Sequence, residues 1–324
     1  MEKASEPFVS VVTPVYNGET FLAECIESIL GQTYKNWEYV IVNNYSTDRT
    51  PAIAQRYAEK DARIRIHHNS TFLPLMQNLN NAMRQISPES KYCKVVHADD
   101  FLLPDCITQM VRLAEAHPSV GVVGSYRING DQMAGGVRHP IAVISGREIG
   151  RSTLLGGPDV FGPPTAILLR SELVRSRPSF YNEINYSTAD KEAVYDILRT
   201  HDFGFVHQVL TCFRVHKEQA STFLATSGAY QLGKIIILEK YGQSYLGRDE
   251  HERLLNETWQ SYYQLLANGV FELREKKFWS FTMNMRKAAG HPLSIPKLIV
   301  AILSKLFDAL LNPKNSLERI LRRL

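Results

Sequence analysis

The sequence predicts an α/β fold, in which helices cover both faces of a mostly parallel sheet, followed by a helical extension. Short β-branched runs alternate with stretches of helical spacing, as in strands joined by crossover helices. Several of these runs are continuously apolar, which is typical of strands buried on both faces. After about residue 221 strand signals become rare and long helical patterns dominate. We therefore expect an α/β domain over 1–221 and a helical extension over 222–324.

The individual elements follow from local patterns. Apolar, β-branched runs predict strands at 8–13, 39–42, 64–66, 93–97 and 120–123. Apolar residues at helical spacing predict helices at 19–30, 75–86, 105–116 and 189–198. Ser46, Thr47 and Asp48 predict the cap of a further helix, and Gly31 predicts the end of the first one. Residues 203–213 predict either one long strand or a strand pair.

Composition limits the classes of function. Hydrophobic residues make up 44% of the 324 residues and charged residues 22%, as in a folded globular protein. A net charge of +4 is too small to indicate nucleic acid as a partner. The four cysteines form no C-x-x-C pair, which argues against a zinc site and a disulfide framework and favours a reducing cytoplasm. We expect no secretory signal and no membrane-spanning helix.

Polar residues follow the first two predicted strands. Thr13, Pro14, Tyr16 and Asn17 end the first strand, and Asn44 follows the second. Ligands of open α/β sheets bind at the carboxyl ends of the strands. A tyrosine there can stack on a base, and amide or hydroxyl groups can hydrogen-bond a ribose or a base edge. The alternative is a pair of ordinary turns.

Adjacent carboxylates follow a later apolar strand. Asp99 and Asp100 come directly after 93–97, where two ionised carboxylates are costly unless a cation neutralises them. Mg²⁺ and Mn²⁺ prefer such oxygen ligands together with substrate phosphates. The pair therefore predicts a site for Mg²⁺ or Mn²⁺ beside a diphosphate. The alternative is an acidic cap for the following helix.

Two further positions are candidates for chemistry. Asp190, at the start of a predicted helix, could accept a proton from a hydroxyl group, or could simply favour the helix N-terminus. Arg214 and His216 follow a predicted strand. Arg214 could hold phosphate oxygens and His216 could ligate a metal; the alternative is an exposed polar turn.

Taken in order, these motifs resemble the family 2 glycosyltransferases, which invert the anomeric centre and have the GT-A fold. Residues 10–17 resemble the opening strand of that family, residues 40–48 its second strand and loop, and residues 98–100 its metal-binding motif. Asp190 lies where the general base is expected, and residues 214–216 resemble the basic motif that closes the catalytic domain. The resemblance extends over residues 7–221.

The resemblance implies transfer of a sugar from a nucleotide-sugar donor to a hydroxyl acceptor, as in bacterial polysaccharide synthesis. Tyr16 and Asn44 would hold the nucleoside, Asp99 the ribose or sugar, and Asp100 the metal. Asp190 would be the catalytic base. Pro164 and Thr165, with their neighbours 162–163, would line the sugar or acceptor side. Two departures concern donor choice: Asn44 stands where the family usually has Asp, and Tyr45 stands where Gly commonly follows.

The end of the chain suggests a further partner. Residues 295–311 form a wide apolar helical face, and Arg319, Arg322 and Arg323 follow it. Such a segment indicates a helix packed on the domain, a homodimer contact, or a helix lying in the plane of a membrane near anionic lipid. The last would suit a lipid-linked glycan acceptor on the inner face of the cell membrane.

Three other classes of protein compete with a glycosyltransferase. A sugar-nucleotide-binding protein without turnover is compatible with Asn44. A nucleotidyltransferase would carry a Gly-rich, Arg-containing loop after the first strand, whereas residues 13–18 hold one Gly and no Arg. A dehydrogenase would carry G-x-G-x-x-G at that turn, which this sequence lacks.

Overall fold

A computed structural model describes residues 6–184, 187–216 and 220–311, with backbone alone at 220–222 and 309. The chain divides into two compact units, 1–217 and 218–324, whereas the sequence placed the boundary at 221. The strands, all in the first unit, are β1 Val9–Val15, β2 Trp37–Asn43, β3 Ile64–His68, β4 Tyr92–Val95, β5 Phe101–Leu102, β6 Val120–Asn129, β7 Gln132–Ala134, β8 Val143–Ile144, β9 Leu168–Arg170 and β10 Asp202–Phe213.

Helices occur in both units. Those of the first unit are α1 Leu22–Leu30, α2 Thr50–Ala58, α3 Leu75–Arg84, α4 Cys106–Ala116, α5 Gly146–Leu154, α6 Ser171–Arg175 and α7 Ala189–Leu198, with a 3-10 turn at Pro164–Ala166. Those of the second unit are α8 Ala220–Thr226, α9 Ala229–Tyr245, α10 Arg248–Phe271, α11 Lys276–Ala288 and α12 Ile295–Leu311. The predicted helical C-terminal part is confirmed.

The ten strands form one sheet in which the main path runs β3-β2-β1-β4-β9-β6-β10-β5. β1 pairs in parallel with β2 and β4, β2 with β3, and β6 with β10. β9 is antiparallel to both β4 and β6, so these two strands run in the same direction. The mostly parallel sheet is therefore confirmed. The carboxyl ends of β1, β2, β4 and β10 lie at the same edge.

Burial explains why the apolar runs became central strands. Every residue of β1 is buried, although successive side chains point to opposite faces, so helices must cover both faces of the sheet. On one face Val11 and Ile41 pack with Ile26 of α1 and Met110 of α4. Fully burying each such side chain contributes about 1.5–3 kcal/mol.

Two local predictions are refined by the structure. Residues 203–213 lie in one long strand, β10, whose pairing with β6 shifts register between Val206 and Val209. The N-cap of α2 is Arg49, whose side chain makes no capping hydrogen bond, so the predicted cap at residues 46–48 lies one residue too early. Asp48 still contributes there, because its Oδ1 accepts the backbone N–H of Thr50 at 2.9 Å. Its Oδ2 accepts the N–H of Glu19 at 3.0 Å, which ties the β1–α1 and β2–α2 loops together.

The second unit has its own core. Leu232 and Ile235 of α9 pack with Tyr262 and Leu266 of α10 and with Phe278 of α11. No helix in the described ranges is both long enough and apolar enough to cross a membrane. The predicted basic segment with Arg319, Arg322 and Arg323 lies outside the described residues.

Candidate functional site

Two loops at the carboxyl edge of the sheet are tied together by side chains. Asn17, after β1, accepts the backbone N–H of Thr47 at its Oδ1 at 2.9 Å, and its own N–H donates to Ser46 Oγ at 3.0 Å. Asn17 has φ of 48° and Tyr45 has φ of 63°, a left-handed conformation that is costly for a residue with a bulky side chain. Tyr16 is 50% exposed at the same edge. The loops thus form a fixed polar rim beside an exposed ring.

Thr13 and Pro14 lie below this rim, inside β1. Thr13 is fully buried, and its Oγ1 accepts the hydroxyl of Tyr39 at 2.9 Å. Pro14 is also buried. The sequence assigned both side chains to a nucleotide, whereas in the structure they face the interior because the strand is covered on both sides.

Asn44 is used to hold a neighbouring loop. Its Nδ2 donates to the carbonyl oxygen of Leu73 at 2.8 Å, and its Oδ1 accepts the N–H of the same residue at 2.9 Å. Oδ1 also accepts Asn69 Nδ2 at 2.8 Å. With 3% of its surface exposed, Asn44 has both oxygen lone pairs engaged by the protein. The sequence assigned Asn44 to the nucleoside, and this geometry gives the side chain a structural task instead.

Asp99 and Asp100 lie just beyond the end of β4, in different surroundings. Asp100 is fully buried, and its Oδ2 accepts Thr165 Oγ1 at 2.6 Å. Burial, with repulsion from Asp99, raises the pKa of Asp100 to about 8. Asp99 is partly exposed, and its Oδ2 lies 3.1 Å from His216 Nε2. Asp100 is therefore enclosed by the protein, whereas Asp99 is partly accessible to solvent beside His216.

A buried lysine supports this arrangement from below. Lys94 of β4 is fully buried, and its Nζ donates to the carbonyl oxygens of Thr165 at 2.6 Å and of Ile167 at 3.1 Å. The 3-10 turn is thereby held against the strand, with Thr165 aimed at Asp100. Pro164 and Thr165, predicted to line the sugar side, are buried, and Thr165 acts on Asp100. Lys94 was not among the residues predicted from the sequence. A single charged residue within an apolar strand was the feature that could have indicated it.

Arg214 and His216 close the site after β10. Arg214 NH1 donates to the carbonyl oxygen of Asp99 at 2.9 Å, and its NH2 forms an ion pair with Glu24 of α1. Its guanidinium also lies over the ring of Phe21, 5.1 Å from the centroid. The predicted basic turn is thus joined to the acidic pair, and its charge is already shared between protein partners.

Asp190 lies in the first turn of α7 and is half-buried. Burial raises the pKa of its carboxyl group. Nearby Asp159, which the sequence did not single out, lies 3.2 Å from Lys191 Nζ and 3.4 Å from Arg127 NH2. Burial alone would raise the pKa of Asp159, but Lys191 and Arg127 hold it below its usual value. Two carboxyl groups with opposite pKa shifts are therefore placed near the start of α7.

Two further features concern ligands. A cavity of about 310 Å³ adjoins Arg214 and His216 and is walled by Phe21, Phe101, Ile128 and Phe213. Among the residues that the structure describes, no group of three His, Cys, Asp or Glu side chains could hold a metal ion.

Comparison with known sequences supports the resemblance. The family model described as Glycosyl transferase family 2 matches residues 10–176. The putative glycosyltransferase EpsE of Bacillus subtilis is 38% identical over 122 residues, which are 37% of this chain and 43% of EpsE. An uncharacterized glycosyltransferase of Rickettsia typhi is 25% identical over 228 residues, which are 66% of each chain. The chain thus spans less than half the length of EpsE.

Solved structures share the fold at low identity. S. aureus TarS 1–349 in complex with UDP-GlcNAc superposes with a TM-score of 0.62 and 15% identity, covering 87% of this chain and 81% of TarS. The mannosyltransferase PcManGT from Pyrobaculum calidifontis, in complex with GDP-Man and Mn²⁺, gives 0.55 and 17%, covering 94% and 88%. The family model matches just over half of the chain, and the mostly parallel sheet with its acidic edge agrees with that match. The chain therefore belongs to glycosyltransferase family 2 and has the GT-A fold.

Proposed function

We propose that this glycosyltransferase moves a hexosyl group from a nucleoside-diphosphate sugar to a hydroxyl acceptor, with inversion at the anomeric carbon. The observation that carries the proposal is the pair Asp99 and Asp100 at the carboxyl edge, where Arg214 and His216 meet it. Tyr16 and Asn17 lie on loops at the same edge. A nucleotide sugar whose diphosphate lies there would have its nucleoside toward Tyr16 and its sugar toward the turn that carries Thr165.

We propose that a divalent cation, Mn²⁺ or Mg²⁺, binds between Asp100 and the phosphate oxygens of the donor. Such ions are commonly held by one or two carboxylates plus substrate phosphates. Asp100 would hold the ion, with Asp99 and His216 beside it. A positive charge would favour the ionised form of Asp100, whose pKa burial raises to about 8. The bound ion would neutralise charge on the leaving diphosphate.

Asp190 is proposed as the base. Its carboxylate would take the proton of the acceptor hydroxyl while the acceptor oxygen bonds to the anomeric carbon. The bond from that carbon to the phosphate oxygen breaks at the same time, and the nucleoside diphosphate leaves with the electron pair. A single displacement from the opposite face inverts the centre. The raised pKa of Asp190 makes it a better proton acceptor once ionised.

The first experiment is a thermal-shift series with nucleoside diphosphates, with and without Mn²⁺ or Mg²⁺. A ligand that binds only the folded state raises the melting temperature, by linkage. We expect a shift with one class of nucleotide that depends on metal and is lost in Asp100→Ala. Asp249→Ala, at the exposed start of α10, is the matched control. The absence of a shift with every nucleotide would contradict the proposal.

Turnover separates an enzyme from an inactive sugar-nucleotide-binding protein. Once a donor class is known, release of the nucleoside diphosphate and the anomeric configuration of the product are measured. Inversion with loss of transfer in Asp190→Asn supports the proposed base. Donor binding with neither hydrolysis nor transfer to any hydroxyl acceptor would favour the inactive protein.

We further propose that the acceptor is a glycan or lipid-linked glycan met at the inner face of the cell membrane. The support is α12, which packs Leu298 and Ile302 on the second core but leaves Leu303 47% and Leu310 75% exposed. A basic segment follows in the sequence, a combination that favours anionic lipid.

Vesicle flotation tests the membrane contact. Leu303→Glu with Leu310→Glu alters exposed positions only and should abolish flotation with anionic vesicles, whereas Glu257→Gln on α10 should not. Equal flotation of the wild type and the double variant would contradict the contact. A concentration-dependent dimer that the double variant loses would assign the face to a second copy of the chain.

A further inference from the structure

Two exposed aromatic rings meet at the carboxyl edge beside the proposed nucleotide site. Tyr16 is 50% exposed and Phe72, in the loop between β3 and α3, is 53% exposed. Their centroids are 4.9 Å apart and their planes are inclined at 67°. The two rings form an open corner, so a flat group stacked on one ring would bring its edge to the other. Edge-to-face contacts of this kind are favourable between aromatic groups.

The position of Phe72 is set by Asn44. This side chain donates to the carbonyl oxygen of Leu73 and accepts from its N–H, at 2.8 and 2.9 Å. Because the backbone supplies one acceptor and one donor, the orientation of the amide is fixed, and an aspartate could not make both bonds. Asn69 supports Oδ1 and in turn donates to Asn78 Oδ1 of α3 at 3.0 Å. The loop is thereby clamped from both of its ends.

This clamp leaves Asn44 unable to read a base through its oxygen. Both lone pairs of Oδ1 point at protein donors, and the residue is 3% exposed. The faces of exposed rings remain available on these loops, and every base has a π-face that an aromatic ring can stack on. Recognition by stacking needs no particular donor or acceptor on the base edge.

We propose that Phe72 forms a second wall of the nucleobase subsite beside Tyr16, and that Asn44 is the positioning residue that holds Phe72 in place. The inference rests on the proposed function, since it presumes a nucleoside-diphosphate ligand. In this arrangement Phe72 contacts the base, whereas Asn44 does not.

Calorimetric titration of the full chain with UDP, GDP, TDP, CDP and ADP, in the presence of Mn²⁺, tests the proposal. We expect Phe72→Ala to weaken the best nucleotide by about five- to a hundredfold, as for the loss of one base–aromatic stack. Phe72→Tyr should restore the affinity because the ring is kept. Phe271→Ala removes an equally exposed ring, 48%, from the end of α10 and should change nothing.

Asn44→Asp separates positioning from base reading. If Asn44 holds the loop, this variant weakens all five nucleotides by a similar factor. If residue 44 reads the base edge, the new carboxylate strengthens UDP, TDP and GDP, whose bases carry a ring N–H on the Watson–Crick edge, and leaves CDP and ADP unchanged. The second outcome would overturn the assignment.

The outcomes also separate this inference from the proposed function. If the wild type binds none of the five nucleotides, the proposed function fails and the inference fails with it. If the wild type binds a nucleotide and Phe72→Ala binds it equally well, the inference alone is refuted. Melting temperatures of the Phe72 variants within about 2 °C of the wild type confirm that these substitutions leave the fold intact. For Asn44→Asp, which removes a buried hydrogen bond, a circular dichroism spectrum like that of the wild type is the check.

Discussion

Replacing Asp100 by Asn should reveal how much stability the protein loses by burying this carboxyl group. Asn keeps an oxygen to accept the Thr165 hydroxyl, 2.6 Å away in the wild type, but cannot ionise. The pKa of Asp100 is raised to about 8 in the folded protein, from 3.8. A group whose pKa is raised by folding destabilises the folded state as pH rises above the unfolded value, until the folded pKa is passed.

The magnitude follows from the same shift. Between pH 5 and pH 7 the unfolded carboxyl group is ionised and the folded one is mainly protonated. Each pH unit therefore removes about 1.4 kcal/mol from the wild type and nothing from this position in Asp100→Asn. The difference in free energy of unfolding between the two proteins should grow by about 3 kcal/mol from pH 5 to pH 7, in favour of the variant. Above about pH 8 it should level off.

Urea unfolding at pH 5, 6, 7 and 9, with a chelator present, measures the difference. Other titrating groups are common to the two proteins and cancel in it. Equal dependence of the unfolding free energy on urea concentration in both proteins is the internal control. A difference that is constant from pH 5 to pH 7 would refute the reasoning. Asp100→Asn should also lose metal-dependent nucleotide binding, so that stability and binding change in opposite directions.

Three further outcomes are expected. Asp190→Asn should bind the donor with an affinity within about twofold of the wild type, yet transfer the sugar at least ~100-fold more slowly, since a general base contributes 10²–10⁴-fold. A transfer rate within about tenfold of the wild type would exclude this role. Lys94→Met should lower the free energy of unfolding by about 1–3 kcal/mol because two buried carbonyl oxygens lose their donor. An unchanged unfolding midpoint in urea would show that stability does not depend on the lysine at this position. Gly146→Ala would place a Cβ 2.1 and 2.2 Å from two backbone oxygens, so we expect its free energy of unfolding to fall by more than about 3 kcal/mol. Gly247→Ala, which has open space around it, should be nearly neutral by calorimetry. Similar melting temperatures for these two variants would contradict the packing argument.

The order of strands and helices could be read from the sequence because the signals are local. β-branched apolar runs specify strands buried on both faces, and an apolar face at helical spacing specifies α1, α3 and α7. The adjacent carboxylates Asp99 and Asp100 can also be recognised as site candidates from the sequence, since a polar pair directly after a buried strand lies at the carboxyl edge of a parallel sheet. These inferences need only neighbouring residues and the alternation of strands and helices.

The tertiary structure alone decided which polar residues lie exposed at the carboxyl edge of the sheet and which are enclosed by the protein. Thr165 binds Asp100 from 65 residues further along the chain, and Asn44 binds Leu73 from 29 residues before it. Lys94 reaches across to the turn that carries Thr165. Such partners depend on register and loop path, which sequence spacing does not specify. In sequence, Asn44 and Thr165 therefore looked like ligand contacts, whereas burial and distant hydrogen-bond partners made them supports of the site.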